Sequence, residues 1–407
     1  MNIRPIVSAL RKHQVATALI VLEIALSCAI LCNALFLVSE RLDGVRLASG
    51  IAEQQLVQIR LGGTGTRDDA DARTREDLAA LRAIPGVVAA TVTNQVPFHG
   101  HGWNTSLALA PDQAVPTLIA GKYDSHPGLL DTFGLRLVAG RDFLADEYID
   151  ASELARRENL EGLRGSIIVP TATAAHLFPD GQALGQAVYV GPLPMTIVGI
   201  VDTLARPGVM DGDTSRSVIF PIRNNYDNGG LYVLRVADPA RRAQVLEQAV
   251  AALERIDPER LVLEQRTYEE SRNGYFRNDR EMIGLLLAIT AALLLVTALG
   301  IAGLANFWVQ QRTRQIGIRR ALGATRSQVV RYFQTENFLI VAAGSALGML
   351  LAFALNQWLM AHHELPRLPL AYLPAGALAL ALLGQAAVYG PARTASGIAP
   401  ATATRSL

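Results

Sequence analysis

Apolar residues fall into two regimes along the chain. Unbroken apolar runs occupy residues 15–38, 282–308, 338–361 and 370–389, whereas the long stretch between the first two runs alternates apolar and polar positions like a soluble domain. At about 1.5 Å of rise per residue, each run is long enough as a helix to cross roughly 30 Å of hydrocarbon. The pattern predicts four transmembrane helices with one large domain inserted between the first and the second.

Within the insertion, a strand–helix–strand pattern occurs twice. The first copy runs QQLVQIRL, a helix around Arg73 to Ala83, then strand VAATVTNQ; the second runs LYVLRVA, a helix from Arg241 to Arg255, then strand LVLEQ. Leu78, Leu81 and Ile84 in one helix, and Leu246, Val250, Leu253 and Ile256 in the other, give the three-to-four spacing of an apolar stripe. Each unit therefore packs one helix face on a sheet, and the two halves form a single α/β layer domain split by a further insertion. That inner insertion reads as short strands near 117–120, 166–169, 187–190, 195–201 and 217–221, separated by turn residues.

The expected boundaries follow. Residues 1–39 hold an N-terminal segment and the first helix, and 40–281 the inserted domain, with a core of 50–96 and 228–268 around a subdomain of 97–225. Helices then occupy 282–308, 337–361 and 370–390, with a loop at 309–336 and a tail at 391–407. Sequence upstream of the second helix, through 267–281, is compatible with one continuous stiff stalk, and the first helix can extend through 40–45.

Composition agrees: of 407 residues, 50% are hydrophobic and 18% charged, too apolar for an ordinary soluble chain. A net charge of +1 excludes a general nucleic-acid binder, which needs uncompensated clustered cations. The arginines cluster at membrane edges instead. Arg4, Arg11 and Lys12 precede the first run, and Arg393 and Arg405 follow the last. Residues 312–331 carry six arginines and no acid, directly after an uncharged stretch at 282–311. Short basic flanks stay on the cytoplasmic side, so both termini and this loop are expected there, with the inserted domain across the membrane. The first run exceeds the apolar core of a signal peptide and has no small-x-small cleavage site after it, so it reads as a retained anchor.

The basic loop is also patterned. In RTRQIGIRRALGATRSQVVR, Ile316, Arg319, Arg320 and Gly323 lie at helical spacing, and the corner at Gly323, Ala324 and Thr325 can end one short helix before another begins at Ser327. QIGIRRALGATRSQV followed by an apolar helix resembles the cytoplasmic signature of the MacB and FtsX family of ABC-transporter permeases. The likeness extends to GLLDTFGLRLVAGRDF, to IIVPTATAAHLFPDGQALGQAV with TIVGIVD, and to the tail PARTASGIAPATATRSL.

By that resemblance, Gly317, Ile318, Arg319, Arg320, Leu322, Gly323 and Ala324 carry the ATPase-coupling pattern, with Gln315 where an acidic residue is usual, and Gly397 and Ala399 replacing more charged residues in the tail. It implies a permease of the bacterial inner membrane that passes ATP-driven motion to its periplasmic domain. The partners implied are an ABC ATPase dimer, a second permease of the same or related sequence, a periplasmic adaptor protein and membrane lipid, with no nucleic acid. ATP and Mg are expected on the ATPase, and no cofactor on this chain. Within the family, the two-part exported domain favours efflux of a peptide, drug or other periplasmic substrate over lipoprotein release or cell-wall-hydrolase control. An ATPase-independent receptor or scaffold would explain the exported domain but not the patterned loop.

Other candidate chemistry is thin. No Gly-x-x-x-x-Gly-Lys-Ser/Thr phosphate loop occurs in these residues, so catalysis of ATP hydrolysis is expected on another polypeptide. Gly62, Gly63, Thr64 and Gly65 read as a flexible turn. His99 and His101 lack a third metal ligand, and Asp211 and Asp213 lack the glycine and distal acid of a calcium loop. Cys28 and Cys32, one helical turn apart, read as packing residues. Glu23, an ionisable group within the first run, should face protein; it is either a polar contact between spans or an edge residue. Gly344 and Gly348 have the small-x-x-x-small spacing that lets helices approach, within the subunit or between two permeases.

Overall fold

The computed structural model describes residues 14–63, 69–100, 102–157, 164–208, 215–363 and 367–397. Arg4, Arg11, Lys12, Thr64, Gly65, His101, Asp211, Asp213, Ala399 and Arg405 lie outside them. The chain divides into two compact units, Met1–Arg46 with Asn278–Leu407, and Leu47–Arg277.

The inserted unit is built on a four-stranded antiparallel sheet. β1 (Leu56–Gly62) pairs on one side with β13 (Leu261–Thr267) and on the other with β12 (Leu231–Val236), which pairs with β2 (Val87–Thr93). Side chains alternate across a strand, so β1 sends Val57, Ile59 and Leu61 to one face and Leu56 to the other. The first face is covered by α2 (Ala70–Arg82) and α6 (Arg242–Ile256) through Leu78, Leu81, Val245, Ala249 and Leu253. The second, with Leu231 and Val233, meets α3 (Leu129–Phe133) and the inner subdomain through Phe133, Ile168 and Ile219.

That subdomain carries a mixed sheet in the order β3 (Asn104–Leu107), β4 (Leu118–Asp124), β10 (Ser217–Phe220), β7 (Gly165–Pro170), β9 (Leu193–Val201), β5 (Leu137–Gly140), with β8 (Ala187–Val190) also on β9. A short pair, β6 (Ile149–Asp150) with β11 (Ile222–Arg223), lies beside α4 (Ala151–Arg156), and α5 (Thr171–Leu177) covers the sheet.

One arginine gathers the two chain ends of this unit. Arg272, in α7 (Tyr268–Tyr275), donates to the Leu47 carbonyl at 2.6 Å, pairs with Glu53, and lies over the rings of Phe98 and Phe276 at 5.0 and 5.5 Å. Phe276 is buried 5.1 Å from Phe98, and drawing it inward ends α7. The continuous stalk expected over 267–281 is therefore two helices, α7 and α8 (Arg277–Gln311), with the break at Phe276.

In the other unit α1 (Gln14–Val45), α8, α10 (Arg326–His363) and α11 (Tyr372–Ser396) are each long and apolar enough to cross a membrane, joined by the short α9 (Thr313–Ala321) between α8 and α10. Apolar side chains gain little by leaving lipid for protein, so close backbone approach must hold such helices. A Cβ built on Gly348 would fall 2.4 Å from Cys28 Cβ and 2.6 Å from the Ala25 carbonyl, and one on Gly344 2.7 Å from Ile24. Both glycines thus lie against α1 of the same chain. Gly376 likewise admits Cys32 Sγ to α11, and Gly384 admits Val341.

Little of α8 is covered. Besides Ile301, Ala305, Trp308 and Val309, it is tied by polar groups: Ser27 Oγ lies 2.8 Å from Thr297 Oγ1, Arg41 pairs with Asp279, and the Glu23 carboxylate lies against Gly300. Thr297 donates its proton to the Leu293 carbonyl, which leaves Ser27 as donor.

Two outcomes follow from this packing. Gly348→Ala should lower the stability of the full chain in detergent by about 1–3 kcal/mol, because the clash is with backbone, whereas Gly303→Ala, with nothing within 4 Å, should leave thermal unfolding unchanged. Burial holds the His126 imidazole down at about 4, with its Nε2 2.6 Å from the Asn224 carbonyl. Since the unfolded chain protonates more readily, its contribution is full above about pH 6.5 and lost as pH falls towards 4, about 2 kcal/mol between pH 8 and pH 5. Hydrogen exchange of the inserted unit should accelerate over that window, and less so in His126→Gln.

Candidate coupling site

The basic loop folds as an elbow whose geometry is fixed by its own caps. At the end of α9, the Ala324 amide donates to the Arg319 carbonyl at 3.0 Å and the Gly323 amide to Arg320 at 3.1 Å, the paired bonds of a Schellman motif. Gly323 has φ +98°, a conformation that glycine adopts without strain. The next residues start α10: the Gln328 side chain accepts from the Thr325 amide at 2.9 Å while Thr325 Oγ1 accepts from the Gln328 amide at 3.3 Å. This reciprocal capping box satisfies the helix's first donors, so α10 begins at Arg326, one residue before the start expected from sequence.

α9 presents two unlike faces. Ile316 is buried in one apolar cluster with Val329, Phe333, Ala392 and Ala395, and Gly317 is buried beside it. Arg320 turns the same way and donates to the Ser396 carbonyl at 2.8 Å, satisfying an acceptor in the last turn of α11. On the other face Gln315 and Arg319 are exposed, and two apolar side chains one turn apart stand in the open, Ile318 at 47% and Leu322 at 84% exposure. Gly317 and Arg320, grouped with these residues in the sequence, therefore hold α9 to the bundle instead of joining its outer surface. The Arg319 guanidinium lies 5.2 Å from the Tyr332 ring centre, on the wall of a cleft of about 470 Å³ between α9 and α10 that Gln315, Gln328 and Arg331 also line.

One structural member of the elbow escaped the sequence pattern. Arg312 Nη1 is 3.0 Å from both oxygens of Glu336, which is 1% exposed, and its guanidinium lies 5.5 Å from the Trp308 ring. The pair ties the entry of α9 to the first third of α10. Its only sequence signal is a lone acid at the end of the otherwise basic loop at 309–336. Glu23, Gly344 and Gly348 lie elsewhere, along α1 and its contacts with α8 and α10. No group of three or more metal-ligating side chains is found among the described residues.

Comparison with known proteins gives these features a context. A family model described as the MacB-like periplasmic core domain matches residues 17–252, more than half of the chain, and one described as the FtsX-like permease C-terminal matches residues 287–400. The macrolide export ATP-binding/permease protein MacB of Chromobacterium violaceum is 28% identical over 235 residues, covering 53% of this chain and 34% of that protein. MacB 1 of Yersinia pestis bv. Antiqua is 26% identical over 385 residues, covering 87% of this chain and 54% of that protein. The chain thus spans about half the length, or less, of these curated relatives. Among solved structures, the periplasmic region of MacB from Actinobacillus actinomycetemcomitans is 14% identical with a TM-score of 0.35, covering 55% of this chain and 94% of that one. The extracellular domain of the transporter YknZ from Gram-positive bacteria is 13% identical with a TM-score of 0.32, covering 51% of this chain and 100% of that one.

The elbow's caps make one direct prediction. Gly323→Ala should strain the corner by about 1 kcal/mol or more, raising amide exchange at positions 323 and 324 roughly five- to tenfold while the thermal midpoint of the whole chain hardly moves.

Proposed function

Because the chain belongs to the MacB-like, FtsX-like family of ABC-transporter permeases, we propose that it receives ATPase-driven motion at the α9 elbow and transmits it to its periplasmic domain to drive export of a periplasmic substrate. The observation that carries the reading is the outward face of α9. Ile318 and Leu322 are apolar, exposed and one turn apart, and they lead into a corner stiffened on one side by backbone bonds and on the other by the Thr325 and Gln328 side chains. An apolar knob on a fixed protrusion suits a groove on another protein.

In this reading the elbow is cytoplasmic, as its six arginines require under the positive-inside rule, and both termini lie on that side of a bacterial inner membrane. An ABC ATPase dimer, with its ATP and Mg, closes against two permeases. Ile318 and Leu322 fill the ATPase groove, with Gln315, Arg319 and Ala324 around them. Gly317, Arg320 and the Arg312–Glu336 pair carry displacement of α9 into the bundle instead of letting the loop yield. The chain leaves the membrane unit after Arg46 and re-enters it at Asn278, and within the inserted domain Arg272 holds Leu47 and Phe276, which adjoin these two crossings in sequence. Motion arriving by either route then moves one body. The macrolide export named for the relatives fits a periplasmic substrate, handled with an adaptor protein.

The test is co-purification with the ATPase that serves this permease, with ATP turnover measured in lipid. Ile318→Asp with Leu322→Asp should lower ATPase binding and its stimulation at least tenfold, with the thermal midpoint preserved because both side chains are exposed. Arg320→Ala should lower the midpoint first. Normal binding and stimulation by the double variant would show that α9 is not the docking element.

A further inference from the structure

Within the periplasmic domain a polar cleft of about 490 Å³ opens between the core sheet and the inner subdomain. One wall comes from β1 and the approach to β12, with Arg60 and Asn228; the other comes from β3, β4 and α4, with Trp103, Lys122 and Leu154. It has no part in the elbow.

Trp103 is the unusual member. Its backbone is fixed on both sides by the buried Gln95, whose Oε1 accepts from the Trp103 amide at 2.8 Å and whose Nε2 donates to the Trp103 carbonyl at 3.0 Å. That carbonyl also accepts from the Lys122 amide at 2.8 Å, and at Gly102 any Cβ would strike Pro207 at 2.1 Å. Yet the residue is 69% exposed, and its ring N–H has no partner among the described residues. A rigidly mounted, uncovered indole is a stacking platform, since it loses little entropy when a flat face settles on it.

The polar groups around it define what would settle there. Arg60 is held by its bond to the Gly229 carbonyl at 2.8 Å, with Glu264 behind it at 3.7 Å. Lys122 lies 2.9 Å from Asp124, whose other oxygen accepts from Asn224 at 2.8 Å. The lining holds two cations and one anion, Glu264 behind Arg60 is itself taken by Arg266 at 2.7 Å, and the Asn228 side chain has no partner among the described residues. An aromatic platform, a free amide and one surplus positive charge suit a ring with hydroxyls on its edge and one negative charge.

We propose that this cleft is a binding site for a pyranose sugar carrying a carboxylate, its ring stacked on Trp103, its hydroxyls towards Asn228 and its carboxylate towards Arg60. The volume admits one or two rings. The proposal goes beyond the coupling reading and does not depend on it, because binding is measured without ATPase or nucleotide.

The experiment titrates N-acetylmuramic acid and N-acetylglucosamine, which share a ring and differ in the carboxylate-bearing substituent, into the full chain in nanodiscs, with ligand-observed NMR and calorimetry as readouts. The acid should bind at least tenfold tighter than the neutral sugar, and the difference should shrink with added salt. Trp103→Ala and Arg60→Gln should each weaken the acid at least tenfold; Trp103→Ala should leave the thermal midpoint unchanged, since the ring is uncovered. Equal affinity for the two sugars, no binding of either at tens of millimolar, or undiminished binding to Trp103→Ala would overturn the proposal.

Discussion

Helices in hydrocarbon already satisfy their own backbones and gain little by exchanging lipid for protein, so this bundle depends on how near two backbones can come. At Gly344 and Gly348 the answer is as near as atoms allow, with α1 carbonyls and Cβ atoms where a side chain would otherwise stand. Gly376 and Gly384 do the same for α11. Two anchors of the elbow inherit their position from these contacts. Glu336, which anchors Arg312, and Phe333, which receives Ile316, belong to the same α10 that the glycines press against α1. A surface loop usually owes its place to the residues beside it in sequence; this one owes it to packing further along the same helix.

The four spans and the α/β nature of the inserted unit were legible because they depend on composition and period, which are local properties. The corner at Gly323, Ala324 and Thr325 was legible for the same reason, since a cap is written within a few residues. What could not be read depends on distant partners. A helical wheel sets Arg319 and Arg320 about 100° apart, but only the end of α11 decides that Arg320 faces in and Arg319 out. The interruption at Phe276 is another case. Nothing in its own stretch forbids a helix, and it is Phe98, from the far end of the sheet's first half, that draws the ring inward. The Trp103 cleft is assembled from positions as separate as Arg60 and Asn228, which only strand pairing brings together.

The inner strands of the four-stranded sheet in the periplasmic domain are covered on both faces, and the charge buried there is paired. Asp77 and Arg260 are nearly inaccessible and meet at 2.5 and 2.9 Å, and Tyr232 donates to the same carboxylate at 2.5 Å. Such a network contributes less to net stability than to uniqueness, because any misaligned register of β12 or α2 would strand a buried ion. The two halves of the split core are thereby told which way to fit, despite the long subdomain that separates them in sequence.

α8 is moored by separate polar ties: Arg41 with Asp279 and Ser27 with Thr297 along its length, and Arg312 with Glu336 just past its end. Directional bonds spread along one shaft cannot stretch gradually. A slide of half a turn would break them together and offer nothing in return until another set of donors and acceptors came into line. The seat of this helix is therefore notched and not smooth, its register set by whole bonds kept or lost.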